Sequence, residues 1–205
     1  DKPAFTSIGL TMTYKQIDEY SAAFAHYLQN HTNLKPGDTI AIQMPNTLQY
    51  PIAMYGALRC GLRVTNVNPL YTEREMQHQF NDSGAKALVC MEMFARSVQN
   101  VVDKTGIETV IVTSLADMLP TVKRTLINFA VKHVKKMVPA YSLPKAVSFR
   151  KALKLGAGKS FEANYMRDPQ DTIILQYTGG TTGVAKGAEL TNRNLVANML
   201  QSTAM

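Results

Sequence analysis

A short segment near the end of the chain concentrates residues that could bind a polyphosphate. From Leu175 to Thr191 it is LQYTGGTTGVAKGAELT, with four glycines, four threonines and one lysine. Glycines let backbone N–H groups converge on one anion, because no Cβ blocks the approach. The hydroxyls of Thr178, Thr181 and Thr182 add donors, and Lys186 adds a positive charge on a flexible stem. A plain surface loop needs none of these donors, so the segment predicts a binding site for phosphates.

The segment differs from the two common phosphate-binding motifs. A Walker A loop ends in Gly-Lys-Ser/Thr, whereas Lys186 lies between Ala185 and Gly187. The stretch GAGKS at 156–160 does have that ending, but Leu153 stands where the first glycine belongs. The dinucleotide fingerprint GxGxxG is missing from the segment, and so is the ribose-binding acid that follows it. The site is therefore predicted to be of a third kind.

The elements on either side of this segment are predicted to be a strand and a helix. DTIILQYT, residues 171–178, is an apolar run typical of a strand. A helix is predicted to begin near Thr191, whose hydroxyl can cap its first turn, and to continue through NLVANML. The glycine-rich segment, defined here as Gly179–Gly187, is expected to be a loop between them.

Upstream, strand-like and helical patterns alternate. The predicted strands are TIAIQM, VTNVNP, KALVCM and ETVIVTS, which begin at Thr39, Val64, Lys86 and Glu108. Four helices are predicted. Two start at capping boxes, Thr13 with Gln16 and Thr72 with Glu75, and the second of these ends at Gly84. The other two start at an Asn46 cap, with Gly61 as the stop, and at Phe94, running to Lys104. Such alternation predicts an α/β fold with a largely parallel sheet flanked by helices.

A basic segment interrupts this alternation. Residues 121–160 hold ten Lys/Arg and no acid, although the net charge of the whole chain is only +7. The basic residues are Lys123, Arg124, Lys132, Lys135, Lys136, Lys145, Arg150, Lys151, Lys154 and Lys159. Val122 to Met137 is predicted to be an amphipathic helix, imperfect because Val131 lies on its basic side. Pro139 and Pro144 are expected to end it, and a loop-like stretch through GAGKS to lead on to Asp168.

The amphipathic helix has two interpretations. Its apolar side, formed by Val122, Leu126, Phe129, Ala130, Val134 and Met137, could pack on the domain and leave the lysines in water. Alternatively, the helix could contact anionic lipid headgroups. Nucleic acid is disfavoured because the basic side lacks interleaved aromatic residues and no nucleic-acid motif accompanies it.

Other residue types exclude several classes of function. Cys60 and Cys90 lie in apolar surroundings without metal-like spacing, and the four histidines are scattered, so no metal site is predicted. No apolar run approaches the roughly 20 residues that span a bilayer. The chain opens at Asp1 with no initiator Met, which suggests a fragment. It is expected to be cytoplasmic and soluble or, at most, peripheral on the inner membrane.

The motif at Tyr177 to Gly187, YTGGTTGVAKG, resembles the phosphate-binding signature of the AMP-forming acyl-CoA synthetases, within the adenylate-forming ligase superfamily. The resemblance covers the whole chain, including MTYKQIDEYSAAFAHYL, LKPGDTIAIQMPN and YGALRCGLRVTNVNPLYTERE. Gly179, the Val-Ala-Lys ending and LTNRN look most like the bacterial long-chain fatty-acid–CoA ligases. Two residues depart from the family pattern, Ala185 in place of proline and Asn192 in place of histidine.

The resemblance implies a reaction in two steps. A fatty-acid carboxylate attacks the α-phosphate of ATP and releases pyrophosphate, and the thiol of CoA then displaces AMP from the acyl-adenylate. The implied ATP phosphate-binding residues are Tyr177, Thr178, Gly179, Gly180, Thr181, Thr182, Gly183, Val184, Ala185, Lys186, Gly187 and Ala188. Mg²⁺ would share the phosphate charge. The catalytic residues are expected beyond Met205, so this chain alone is expected to be inactive.

The resemblance also implies a domain organisation. Residues 1–205 would be the N-terminal portion of the large adenylation domain of an adenylate-forming enzyme, with its C-terminal part and small domain absent. They would comprise an α/β unit (1–116), the basic helix and loop (117–170), and a strand, phosphate-binding loop and helix start (171–205). Two other functions stay open, another adenylate-forming ligase acting on aryl or medium-chain acids, and a non-catalytic lipid-binding module. A homodimer also stays open.

Overall fold

A seven-stranded sheet organises the computed structural model, which describes residues 1–163, 168–178 and 185–204. The strands are β1 (Pro3–Ser7), β2 (Leu10–Thr13), β3 (Thr39–Gln43), β4 (Arg63–Asn66), β5 (Ala85–Met91), β6 (Thr109–Thr113), β7 (Val147–Ser148), β8 (Thr172–Thr178) and β9 (Lys186–Thr191). In the large sheet the order is β7-β6-β5-β3-β4-β8-β9. Every pairing is parallel except the antiparallel β8–β9 pair at one edge, so the predicted largely parallel sheet is confirmed.

Helices cover both faces of the sheet. They are α1 (Tyr14–His31), α2 (Gln49–Arg59), α3 (Glu73–Asp82), α4 (Ala95–Val101), α5 (Thr121–Phe129), α6 (Phe149–Gly156) and α7 (Asn192–Thr203). Short 3₁₀ turns at Glu92–Phe94 and Val102–Lys104 flank α4, and a π-helical turn at Ala130–Val134 extends α5.

Two hydrophobic cores lie on opposite faces of the sheet. Side chains alternate along β3, so Ile40 and Ile42 enter one core while Ala41 enters the other. The first core lies under α1, α2 and α6, where the rings of Phe24 and Phe149 are 5.1 Å apart. The second lies under α3 and α4, on the opposite face of the sheet.

Local signals set most helix ends. Thr13 with Gln16 and Thr72 with Glu75 form both predicted capping boxes. Gly61 and Gly84 follow their helices with positive φ, as a helix-ending glycine does. These predictions are confirmed.

The predicted Asn46 cap is wrong, because α2 begins at Gln49 and its N-cap, Leu48, makes no side-chain cap. Pro51 explains the later start. Had the helix begun at Thr47, Pro51 would sit in its interior without an N–H to donate to the Thr47 carbonyl.

The predicted loop through GAGKS is also wrong, because residues 147–156 form β7 and α6. Ser148 caps α6 by accepting a hydrogen bond from the Lys151 N–H at 3.3 Å. A Cβ on Gly156 would lie 1.9 Å from the Ala23 carbonyl oxygen of α1. This glycine therefore permits close helix packing and is not part of a phosphate loop.

The basic helix does not pack with its apolar side. Val122, Leu126 and Phe129 are exposed, whereas Val131, on the basic side, is buried. The side chain of Asn128 accepts a hydrogen bond from the Ala116 N–H at 2.9 Å and so holds the same side of the helix to the domain. The predicted packing of the apolar side is therefore wrong for the part of the chain that the structure describes, although the lysines are exposed as predicted.

Candidate phosphate-binding site

The glycine-rich segment starts at the edge of the sheet where ligands bind in α/β folds. β8 runs parallel to β4 and ends at Thr178, on the carboxyl side of the sheet. In open α/β sheets this side carries the ligand crevice. Six residues of the predicted site lie outside the described residues, namely Gly179, Gly180, Thr181, Thr182, Gly183 and Val184.

The chain returns from the glycine-rich segment as a strand. The predicted loop ends earlier than expected, because β9 begins at Lys186 and pairs with β8 as far as Thr191. The predicted helix start is confirmed, since Thr191 caps α7 in a capping box with Asn194. The strand was not foreseen because KGAELT has little of the β-branched or aromatic character that marks strands, and pairing with β8 supplies its hydrogen bonds.

Thr178 and Lys186 lie directly opposite each other at the end of the hairpin next to the connecting segment, which is called its mouth below. Cross-strand partners project on the same face, so the hydroxyl and the ammonium are on one side. Both residues are exposed. A hydroxyl donor and a mobile cation side by side at the carboxyl edge suit an incoming phosphate. Ala188 pairs with Gln176 and lies further from the mouth.

Tyr177 occupies the opposite face of the hairpin. Its ring is buried, and its phenol donates a hydrogen bond to Oδ2 of Asp82 at 2.6 Å. Burial and the neighbouring carboxylate both raise the pKa of Tyr177, so the phenol keeps its proton. A Cβ on Gly187 would lie 2.9 Å from the Tyr177 ring, which explains a glycine there. Tyr177 and Gly187 thus shape the hairpin from behind.

A second contact from α3 reaches the other end of the glycine-rich segment. His78 Nε2 is 3.1 Å from the Ala185 carbonyl oxygen, and because a carbonyl only accepts, the imidazole donates. Sequence reasoning missed both His78 and Asp82. The available signal was their spacing of four residues, which places them on one side of a helix.

Polar side chains continue the ligand-facing side of the sheet away from the mouth. Gln176 shares a face with Thr178, because residues two apart in a strand project together. Asn66, at the end of β4, donates from Nδ2 to Oε1 of Gln176 at 3.2 Å. Tyr50 of α2 donates its hydroxyl to Oδ1 of Asn66 at 2.9 Å, and burial raises the pKa of Tyr50. These fixed amides were also missed by sequence reasoning.

A metal site does not form among the residues that the structure describes, since no group of three or more His, Cys, Asp or Glu could hold an ion. Within the same ranges, no helix is long and apolar enough to cross a membrane.

Comparison with known proteins identifies relatives along the whole chain. A model of the family described as "AMP-binding enzyme" matches residues 1–205. The chain is 53% identical to a long-chain-fatty-acid–CoA ligase of Escherichia coli O157:H7, over 100% of this chain and 36% of that protein. It is 50% identical to the ligase of the same name from Haemophilus influenzae, over 98% of this chain and 36% of that protein. The chain thus spans about a third of the length of the curated relatives it matches.

Solved structures share the fold. A long-chain-fatty-acid–CoA ligase from Archaeoglobus fulgidus superposes with a TM-score of 0.72 at 27% identity, covering 98% of this chain and 34% of that one. The ATP-bound MatB from Rhodopseudomonas palustris superposes with a TM-score of 0.71 at 23% identity, covering 95% and 32%. At that lower identity the likeness supports the fold alone.

Proposed function

This chain belongs to the AMP-binding enzyme family, and from that premise we propose that the whole protein is an ATP-dependent long-chain fatty-acid–CoA ligase. The observation that carries the proposal is the pair Thr178 and Lys186 at the mouth of the β8–β9 hairpin, on the carboxyl edge of the sheet. The substrate class rests on the 53% identity to a long-chain-fatty-acid–CoA ligase. This chain is proposed to supply the phosphate-binding part, and the catalytic residues are proposed to lie beyond Met205.

Thr178 and Lys186 are proposed to hold the β- and γ-phosphates of ATP, together with backbone N–H groups of 179–184. A fatty-acid carboxylate attacks the α-phosphate, and negative charge builds on the departing pyrophosphate. The Lys186 ammonium offsets this charge, and donors already aimed at the phosphates cost little reorganisation. The acyl group is then transferred to the thiol of CoA as AMP leaves. Mg²⁺ is proposed to arrive with ATP and would share the negative charge of its phosphates.

Carboxylate-dependent exchange of pyrophosphate into ATP tests this proposal in the full-length protein. Short, medium, long-chain and aromatic acids are compared, with Lys186→Ala as the variant and Lys159→Ala as the control. Lys159 is the matched control because it is exposed and follows a glycine in GAGKS, but comes after a packing helix. We expect exchange to be fastest with long chains, to fall about 100-fold or more in Lys186→Ala, and to persist in Lys159→Ala.

Other outcomes of the exchange assay would select the rivals. Exchange with aromatic or medium-chain acids, but not long ones, would keep the role of Lys186 and replace the substrate. No exchange with any acid would reject the ligase and favour a non-catalytic lipid-binding module. Lys186→Ala with wild-type exchange would remove the lysine from the phosphate site.

The amphipathic helix supports a proposed location for the enzyme, peripheral on the inner membrane. The exposed apolar side chains of α5 and the residues after it are Val122 (72% exposed), Leu126 (64%), Phe129 (58%), Val134 (67%) and Met137 (47%). None of the ten basic side chains in residues 121–160 forms an ion pair with another described residue. Apolar side chains flanked by unpaired cations fit an anionic lipid surface.

The attachment of the helix explains why this side faces outwards. Val131 is buried, and Asn128 links the helix to the residues after β6, by accepting from the Ala116 N–H and donating to Oδ1 of Asp117 at 3.5 Å. Because these residues hold the basic side of the helix, the apolar side is left for a partner. Charge complementarity favours anionic lipid as that partner.

Vesicle co-sedimentation of the full-length protein tests the membrane proposal. Phosphatidylcholine vesicles with and without phosphatidylglycerol are compared for wild type, for Leu126→Glu with Phe129→Glu, and for charge reversal at Lys132, Lys135 and Lys136. We expect both sets of changes to weaken binding to the anionic vesicles about tenfold or more. Leu70→Glu is the control, because Leu70 is also apolar and exposed but lies in the loop between β4 and α3. Unchanged binding to anionic vesicles in both the Leu126→Glu, Phe129→Glu variant and the charge-reversal variant would reject the proposal. A dimer dissociated by Leu126→Glu, without vesicle binding, would replace the membrane by a second copy of the chain.

A further inference from the structure

We propose that α3 positions the β8–β9 hairpin, and with it Thr178 and Lys186, through contacts of His78 and Asp82. The inference rests on the proposed function. Asp82 accepts from the phenol of Tyr177 in β8, and His78 donates to the carbonyl of Ala185, the residue immediately before β9. The two contacts join residues 95 and 107 positions apart in the chain.

The anchoring helix is itself fixed to the sheet. Met76, Gln79 and Phe80 on its inner side are fully buried. Gln79 Nε2 donates to the Thr65 hydroxyl at 2.9 Å and to the Asn66 carbonyl at 2.8 Å. Both acceptors belong to β4, the strand next to β8. Gln79 therefore fixes α3 to β4, and His78 and Asp82 of the same helix contact the β8–β9 hairpin.

The contacts leave the ligand side of the hairpin free. Tyr177 projects from the face opposite to Thr178, because neighbouring residues of a strand alternate. The hydrogen bond to Asp82 involves a carboxylate, and such bonds are shorter and stronger than neutral ones. His78 and Asp82 are one helical turn apart, so a single rigid element contacts β8 and the residue before β9, close to Thr178 and Lys186. Holding both strands in place reduces the reorganisation that binding of phosphate to Thr178 and Lys186 must bring about.

These residues are positioning residues, since they act on ATP through the hairpin. Removing either contact is expected to weaken ATP binding, with little change in the KM for the fatty acid or for CoA. The expected effect is a rise in the KM for ATP of about tenfold for each lost contact, with kcat changed less. Loss of Tyr177–Asp82 from either side should give the same effect, and the double variant should be no worse than one single variant.

Steady-state kinetics of the full-length enzyme test the proposal. The disruptive variants are Tyr177→Phe, Asp82→Ala and His78→Ala. The conservative variants are Asp82→Asn, which keeps an acceptor oxygen, and His78→Gln, which keeps an N–H donor. We expect a raised KM for ATP in the disruptive variants and partial rescue in the conservative ones. Gln77→Ala, a neighbouring polar residue on α3, is the control.

Limited proteolysis with trypsin gives a second readout that does not require activity. Cleavage after Lys186 requires local opening of the hairpin, so its rate reports how firmly the two strands are held. We expect faster cleavage at Lys186 in Tyr177→Phe and His78→Ala, with other sites unchanged. This separates the two proposals, because an inactive wild type would reject the ligase while the cleavage rates still report on α3. Unchanged cleavage and an unchanged KM for ATP would overturn the inference, and so would a general fall in Tm and kcat without a change in that KM.

Discussion

Thr178 and Lys186 face each other as the last residue pair of the β8–β9 hairpin, next to the segment that connects its two strands. Directly behind them, Tyr177 faces Gly187 in the preceding pair, with its ring against the glycine. The hairpin therefore separates two tasks. One face presents the hydroxyl and the ammonium, and the other is packed on α3. Substitutions on the two faces are predicted to have different consequences.

Gly187→Ala tests the packed face. The new Cβ would lie 2.9 Å from the Tyr177 ring, so the ring or the strand must move. We expect the free energy of unfolding to fall by about 1–3 kcal/mol, as for an overpacked core, and the KM for ATP to rise. Thermal unfolding and exchange kinetics of the full-length protein measure both effects. Gly106→Ala, where the new Cβ would meet only the Ala85 carbonyl oxygen at an ordinary 3.7 Å, should leave both near wild type, and equal behaviour of the two variants would contradict the prediction.

Gly156→Ala tests whether the first glycine of GAGKS serves helix packing. Its Cβ would lie 1.9 Å from the Ala23 carbonyl oxygen, and the backbone of α1 cannot yield as a side chain could. We expect a loss of about 3 kcal/mol or more in the free energy of unfolding. Gly158→Ala is the comparison, because a Cβ there meets open space and only the positive φ is strained, at a cost of about 1 kcal/mol. Chemical denaturation distinguishes the two, and a larger loss at Gly158 would refute the assignment.

Cys60 and Cys90 are predicted to be unreactive in the folded protein. Both thiols are buried, and burial raises the pKa of each to about 12. At neutral pH almost no thiolate is present, and the thiolate is the nucleophile. Alkylation with iodoacetamide followed by peptide mapping should therefore modify neither residue until denaturant is added. Rapid alkylation of either cysteine under native conditions would show that its core opens locally.

Asp38→Asn is predicted to lower stability in a pH-dependent way. Burial alone would raise the pKa of Asp38, but hydrogen bonds from Lys86, at 2.8 Å, and from the Lys35 N–H leave it below its ordinary value. A carboxyl with a lowered pKa stabilises the fold above its unfolded pKa, and the contribution is lost as pH falls through the folded pKa.

The expected loss in Asp38→Asn at pH 7 is about 1 kcal/mol, because the Lys86 partner is half exposed and screened. Denaturant unfolding of wild type and variant from neutral to acidic pH measures it. The two curves should converge in acid below the ordinary aspartate range, and a constant difference at every pH would contradict the electrostatic explanation.

Much of the fold could be predicted because its signals are local. A capping box needs only two residues three positions apart, and Thr13 with Gln16 and Thr72 with Glu75 formed as the pattern predicts. Apolar runs in the sequence predict buried strands, and β3 to β6 and β8 lie where these runs predict them. The phosphate-binding role of Thr178 and Lys186 is predicted from residue type, which decides which groups can donate to a phosphate, and it stays a prediction.

Tertiary structure alone decided what depends on distant partners. β9 exists because β8 pairs with it, and α6 because Phe149 and Gly156 fit against α1. Val131 is buried although most apolar side chains of this helix lie on its other side. The hydrogen bond between Asn128 and Ala116, which follows β6, holds the side that carries Val131 against the domain. His78 and Asp82 carry no motif of their own. Their contacts form only when the sheet brings β8 alongside β4 and places α3 behind the hairpin, a juxtaposition that no local pattern encodes.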